Sequence, residues 1–307
     1  MKKILCLTIC LLLLTGCGKS APEDTVPTTQ PSQPEDTTTG TYLLTEQVHY
    51  DANDRVNVRM EVAFNEQQLP TSVLLDSGVD VTYTPQYDEN GNITGFSTKR
   101  VLYGEETEGT ASVNDHGDIV QKIANGKTTD VTLSYDDSGR VIKKETSVDG
   151  SLSSVKTWAY DEQGNLSKTS STDENGGYTL VYENTYNGTL LTAIHCKFDG
   201  GDTEHTESFT YDENGQLTKW EQVSGDETTT TVYTYNEQGL TATELNLLNG
   251  EEFSRLEYSY NENGLLSEKR TYSYGEFSGR TTYSWTAQPI LLTAAQRNVL
   301  KQLGVLL

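Results

Sequence analysis

The sequence predicts an all-β protein: a long antiparallel meander of hairpin repeats, curled into a spiral or wide barrel-like sheet and followed by one short C-terminal helix. Three observations carry this expectation. Segments of the form Tyr-Asp/Asn-x-x-Gly recur with a period of about 25 residues. A second series of glycines falls between them at a similar spacing. No amphipathic helical segment is interleaved with the repeats, so the sheet must cover its own apolar face.

The first series comprises Tyr87-Asp-Glu-Asn-Gly91, Tyr135-Asp-Asp-Ser-Gly139, Tyr160-Asp-Glu-Gln-Gly164, Tyr211-Asp-Glu-Asn-Gly215, Tyr235-Asn-Glu-Gln-Gly239 and Tyr260-Asn-Glu-Asn-Gly264. Degenerate copies surround Gly117 and Gly188, and Phe64-Asn-Glu-Gln-Gln68 is an eroded one. The second series runs Gly78, Gly104, Gly126, Gly150, Gly176, Gly201, Gly225, Gly250 and Gly275. Each repeat therefore reads strand, turn, strand, turn.

In Tyr211-Asp212-Glu213-Asn214-Gly215-Gln216-Leu217, Gly215 supplies the left-handed residue of a bulged hairpin turn. Asp212 then lies opposite Gln216, and Tyr211 faces Leu217. The same geometry pairs Tyr87 with Ile93, Tyr135 with Val141, Tyr160 with Leu166 and Tyr260 with Leu266. Strand alternation adds Leu133, Trp158, Phe209, Tyr233 and Tyr258 to the tyrosine face, and leaves Ser134, Ala159, Thr210, Thr234 and Ser259 on the other. Simple alternation from Leu217 puts Trp220 opposite this face, where the core needs no aromatic. Trp220 is therefore the candidate ligand platform.

One face is thus aromatic and the other small and polar. Long sheets twist and roll, so the aromatic face is expected to line the inside, with its hydroxyls seeking partners in a partly wet interior.

Around the array, residues 1–16 read as a lipoprotein signal peptide, 17–41 as a tether, 42–286 as the repeat array and 287–307 as a helical cap. Lys2 and Lys3 precede the apolar run Ile4–Leu14, which is too short to span a bilayer. Leu14-Thr15-Gly16-Cys17 resembles the lipobox of bacterial lipoproteins, which implies lipidation, palmitate included, at Cys17. Several acyl chains on one residue would hold the protein stably at a membrane. Pro22, Pro27, Pro31 and Pro34 among Thr, Ser, Gln and acidic residues read as an extended, unfolded tether. The expected location is secreted and lipid-anchored to a bacterial membrane, facing the exterior or the periplasm.

Formal net charge is −23. That sign excludes nucleic acid as a partner, because phosphates require clustered Lys and Arg. The expected partners are the membrane, through the anchor, and an unknown protein or envelope polymer.

The Tyr-Asp-x-x-Gly-x-Leu copies resemble the RHS, or YD, repeat family from Tyr50 to about Trp285. That resemblance implies a spiralling β-sheet shell of the kind that in some members encloses a C-terminal toxin. Only 22 residues follow Trp285, so no enclosed toxin is expected here. Instead, Thr293-Ala-Ala-Gln296 with Val299, Leu300, Leu303 and Gly304 carries the capping box, spacing and stop signal of a short helix. It is expected to cap the open end of the array.

No catalytic residue, cofactor or metal site is expected. Asp76-Ser77-Gly78 resembles an aspartic-protease loop, but it falls in register with the second-turn series, and that chemistry requires a pair of carboxylates. His49, His116, His195 and His205 lack metal-ligand spacing. Cys196 and His195 are adjacent on a strand and point to opposite faces. The acidic turns lack the spacing of a calcium loop. The reading is a non-catalytic cell-envelope lipoprotein whose array serves as an interaction or adhesion scaffold, with glycan or small-ligand binding as the alternative.

Overall fold

The computed structural model describes residues 40–66, 69–77, 80–201 and 203–306. The predicted signal segment, Cys17 and nearly all of the predicted tether lie outside them, as do residues 78–79 of the predicted second turn. Twenty antiparallel strands form one sheet. They are β1 Leu44–Asp51, β2 Val56–Phe64, β3 Pro70–Asp76, β4 Asp80–Tyr87, β5 Ile93–Leu102, β6 Glu105–Val113 and β7 Ile119–Ala124. The middle of the array is β8 Lys127–Tyr135, β9 Val141–Val148, β10 Ser151–Tyr160, β11 Leu166–Asp173, β12 Gly176–Asn187, β13 Leu190–Phe198 and β14 Thr203–Tyr211. It ends with β15 Leu217–Ser224, β16 Glu227–Tyr235, β17 Thr241–Leu248, β18 Glu251–Tyr260, β19 Leu266–Ser273 and β20 Glu276–Trp285. Each strand pairs with its neighbours in sequence, and β1 also pairs with β20 from Leu44↔Trp285 to Asp51↔Gly279. The meander therefore closes into a barrel and leaves no free edge.

The two turn series have different chemistry. At the tyrosine end, the Asp or Asn after the tyrosine organises the loop with one side-chain oxygen. Asp212 Oδ1 accepts from the amides of Asn214 and Gln216, and Asn236 Oδ1 does the same for Gln238 and Leu240. Only an acceptor is needed, which is why Asp and Asn interchange in the repeat. The eroded copy keeps part of the device, with Leu69 N donating to Asn65 Oδ1. At the opposite end, pairs such as Asn125-Gly126 and Asn249-Gly250 have both residues at positive φ, as in a type I′ turn that matches strand twist.

The tyrosine itself joins one repeat to the next. Tyr160 Oη donates to Val141 O, Tyr211 to Leu191 O, Tyr235 to Leu217 O and Tyr260 to Thr241 O, at 2.6–3.0 Å. Trp285 takes the same place in the last repeat, its Nε1 donating to Leu266 O at 2.7 Å. Every one of these acceptors is the residue paired with the preceding tyrosine or its equivalent, so each ring reaches back one hairpin.

All the predicted cross-turn pairs are present: Tyr87↔Ile93, Tyr135↔Val141, Tyr160↔Leu166, Tyr211↔Leu217 and Tyr260↔Leu266. A β-bulge follows each pair and inserts one unpaired residue. At three of these bulges the unpaired residue's hydroxyl donates to the facing strand: Thr218 to Thr210 O, Ser267 to Ser259 O and Thr94 to Gln86 O.

Because directly opposed residues share a face, the register fixes what points inward. The convex face carries ion pairs such as Lys99–Glu106, Lys143–Glu145, Lys197–Glu183, Lys219–Glu221 and Arg270–Glu268. Charges of this kind are costly on a lipid-facing wall. No helix among the described residues is long and apolar enough to cross a membrane.

The concave face carries the tyrosines. Twenty strands exceed the number at which barrels enclose an aqueous channel, so wall side chains alone cannot fill the interior. Part of the gap is filled by the C-terminal segment. Its helix α1, Ala294–Gln302, starts at Thr293 with the expected capping box and stops before Gly304 at φ 72°. Val299, Leu300, Leu303 and Val305 pack against Met60, Val62, Val73, Leu75, Val81 and Phe96 on the inner face of β2 to β5. Gln296 and Gln302 donate to the carbonyls of the turn glycines Gly91 and Gly117. A Cβ on Gly117 would lie 2.3 Å from Ala295 O, so this turn must be glycine for the helix to dock. The expectation of a cap on an open array end is corrected by closure: β20 is covered by β1, and the helix instead plugs one arc of the mouth.

Candidate binding site in the barrel lumen

The tail covers β1 to β7, and among the described residues no segment outside the wall packs on the inner face of β8 to β19. Its aromatic residues include Trp158, Tyr160, Tyr182, Phe209, Tyr211, Trp220, Tyr233 and Tyr258, interspersed with Thr, Lys and Glu. Most are half-buried. A second apolar cluster gathers Leu166, Tyr182, Leu191, Ile194 and Cys196.

Trp220 does not lie where alternation from Leu217 puts it. The bulge at Thr218 shifts the register by one, so Trp220 pairs with Phe209 and shares the face of Tyr211. It points into the lumen, and its Nε1 donates to Glu207 Oε2 at 2.7 Å. Glu207 Oε1 in turn lies 3.1 Å from His205 Nε2. His205 stands directly opposite Cys196 on the same inner face.

This inward chain of Cys196, His205, Glu207 and Trp220 was hidden in the sequence. The adjacent pair His195-Cys196 does diverge as alternation requires. The partner comes from the next strand, through a pairing that also carries a register shift between Cys196 and Lys197. Thiol, imidazole and carboxylate follow the order of an activated nucleophile. The sulfur, however, is 0% exposed. Cys196 first and Glu207 second also hold His205 protonated, pushing it up to about 10.

Titratable groups elsewhere on the two faces behave differently. Burial pulls Lys122, Lys144 and Lys269 on the inner face below the ordinary lysine value. Lys99 on the outer face is raised instead, by its hydrogen bond to Glu106. Burial also pushes Tyr87, Tyr135, Tyr233 and Tyr283 up to about 12.

The remaining sequence candidates fall into place as follows. Asp76 and Asp80 pair across the β3–β4 hairpin, as a second-turn sequence requires. His49 Nδ1 lies 3.2 Å from Thr281 Oγ1, and the His116 ring stacks on Tyr135 at 4.0 Å. Among the described residues, no three His, Cys, Asp or Glu side chains converge as metal ligands. Asp88 uses Oδ1 for the amides of its own turn and Oδ2 for Asn92. Cys17 lies outside the described residues.

Comparison with known proteins follows the repeat. Residues 135–178 match the RHS repeat model. This stretch runs from β8 into β12 and contains two of the tyrosine turns. No curated protein matches the chain. Among solved structures, a porin-like protein from Bacteroides uniformis is similar at 13% identity over 79% of this chain and 98% of the other, with a TM-score of 0.37. A Photorhabdus luminescens Tc holotoxin pore is similar at 12% identity over 78% of this chain and 16% of the other, with a TM-score of 0.32. The chain thus spans a small part of the holotoxin.

Proposed function

We propose that the protein is a non-catalytic cell-envelope lipoprotein, anchored through lipid on Cys17, whose barrel is an interaction scaffold that uses its lumen as the binding surface. The observation that carries this reading is the open arc of the inner face from β8 to β19. There, rings and polar side chains face inward on a lining that, among the described residues, the tail does not cover. RHS-type repeats are consistent with such a scaffold. The described chain enters at the plugged mouth, where Leu44 N donates to Val305 O and Thr41 pairs with Ile290. A tether on Cys17 would therefore hold that mouth toward the membrane and leave the other facing away.

The glycan- or small-ligand-binding alternative is favoured by one specific feature. Trp158 and Trp220 both present indoles on the lumen wall, where amphipathic rings serve as platforms.

All three tryptophans point inward, which gives a direct test. In variants that retain one tryptophan and carry Phe at the other two positions, acrylamide is expected to quench Trp158 and Trp220 strongly and Trp285, beneath the tail, weakly. Equal shielding of all three would remove the lumen as a binding surface. For the anchor, Cys17→Ala is expected to shift the protein from the membrane to the soluble fraction, and an unchanged distribution would refute lipidation there.

A further inference from the structure

Over β5 to β10 the inner face has the opposite charge from the chain as a whole. From β5 to β10 the register turns Arg100, Lys122, Lys127, Lys144 and Lys156 inward, against one strand carboxylate, Glu105. The other acids of these strands, Glu106, Glu108, Asp130 and Glu145, point outward.

Lys144 and Lys156 stand directly opposite each other across β9 and β10. Like charges in that position weaken a sheet. Lys122 is near enough to Lys144 for the two to repel, on top of the burial both suffer. Neither Lys122 nor Lys144 has a carboxylate within ion-pair distance among the described residues. Asp118 attracts Lys144, but its oxygens already accept from Tyr135 Oη and Asn298 Nδ2. Lys122 also lines a small cavity with Tyr83, Phe96, Gln302 and Leu303, so the cluster lies along the inner edge of the plug. Trp158 follows Lys156 by two residues on the same face.

The Lys122 and Lys144 ammonium groups are crowded and desolvated, and an anion beside them relieves both the repulsion and the lost hydration. We infer that Lys122 and Lys144, with Lys156 and Trp158 beside them, form a site for an acidic oligosaccharide. Its carboxylate or phosphate sits among the ammonium groups and a sugar ring lies on the indole. The inference rests on the lumen being the binding surface.

The test uses the full-length protein at low ionic strength, titrated by calorimetry with oligogalacturonate, a phosphorylated mannan oligosaccharide and neutral maltoheptaose. The double variant Lys122→Gln, Lys144→Gln is compared with Lys143→Gln, Lys219→Gln, which removes equal charge from the convex face. At least one acidic ligand is expected to bind, at least tenfold more weakly to the inner variant and within twofold of wild type for the outer one. Which acidic ligand binds distinguishes carboxylate from phosphate. The inner variant is expected to melt at or above the wild-type temperature, because repulsion has been removed, so lost binding cannot be lost folding. The inference is overturned if no acidic ligand binds wild type, if both double variants lose binding equally, if maltoheptaose binds as well, or if the inner variant melts lower. Quenching separates the two levels: accessible tryptophans without acidic-ligand binding sink this inference alone, and shielded tryptophans sink the lumen reading with it.

Discussion

Beneath the tail, the inner face of β2 to β5 is aliphatic: Met60, Val62, Val73, Leu75, Val81 and Phe96 are nearly all buried. Across the lumen, β14 to β19 place Phe209, Tyr211, Trp220, Tyr233, Glu244, Tyr258 and Lys269 at equivalent inward positions, most of them half-buried. One closed wall, built from one kind of repeat, thus has two linings. Where a helix excludes water the lining can be purely apolar. Where water reaches, the side chains have an apolar body and a polar tip. The contrast locates stability in the plugged arc and binding capacity in the open one.

The largest test of the contrast removes the plug. Leu300 is 0% exposed at its centre, so Leu300→Ala is expected to cost about 2–5 kcal/mol in a denaturant melt. Hydrogen exchange should rise in β1 to β7 and change little in β10 to β16, and uniform loosening would show that the two arcs are one cooperative unit. Gly117→Ala is expected to lift the helix from its turn and to make Trp285 as quenchable as Trp158.

In the open arc, Trp220→Ala is expected to cost about 2–3 kcal/mol, less than a fully buried tryptophan, because a half-buried ring is lost and Glu207 loses its donor. A cost under about 0.5 kcal/mol, the usual effect of an exposed substitution, would return Trp220 to the outer face. Tyr235→Phe leaves Leu217 O without its donor and is expected to cost about 1–2 kcal/mol.

A smaller effect depends on pH. Folding raises His205 from 6.5 to about 10, so its contribution to stability is complete below about pH 6.5 and is lost as pH rises through 10. The melting temperature of wild type should therefore fall more steeply between pH 7 and 10 than that of His205→Gln; parallel curves would mean that the Cys196–His205–Glu207 chain is not formed. The smallest expected effect is on the convex face, where Lys219→Gln removes an exposed ion pair and should change stability by less than about 0.5 kcal/mol.

Much of the fold was legible because the repeat states its own turn chemistry. Gly215 and its counterparts mark the bulged turns, and the pairing of Tyr211 with Leu217 follows from loop length alone. The capping box at Thr293 and Gln296 is local in sequence and was equally readable. Closure was not, because the β1–β20 pairing joins residues more than 200 positions apart and no local feature of Val48 or Thr282 specifies it. The lining of the lumen was half legible. Tyrosine faces follow from alternation, but the bulge residue after Leu217 moves every later side chain of β15 to the other face, which carried Trp220 and Gln222 inward. The hydroxyl of Thr218 that closes this bulge is the signal that could have revealed it, since Ser or Thr recurs there at Thr94, Ser167 and Ser267. The meeting of Cys196 with His205 and the crowding of Lys144 against Lys156 needed strand register, which composition does not carry.

The claim on which the two-arc comparison rests is that the wall is continuous. Amide exchange in β1 and β20 tests it most directly, read at Val48 and Thr282 and compared with Trp158 and Thr169 in the middle of the array. A closed barrel predicts protection at the β1–β20 seam comparable to that of β10–β11, because the seam amides donate across an interior ladder. Rapid exchange at both seam residues, with β10–β11 still protected, would mean an open spiral and would contradict the account.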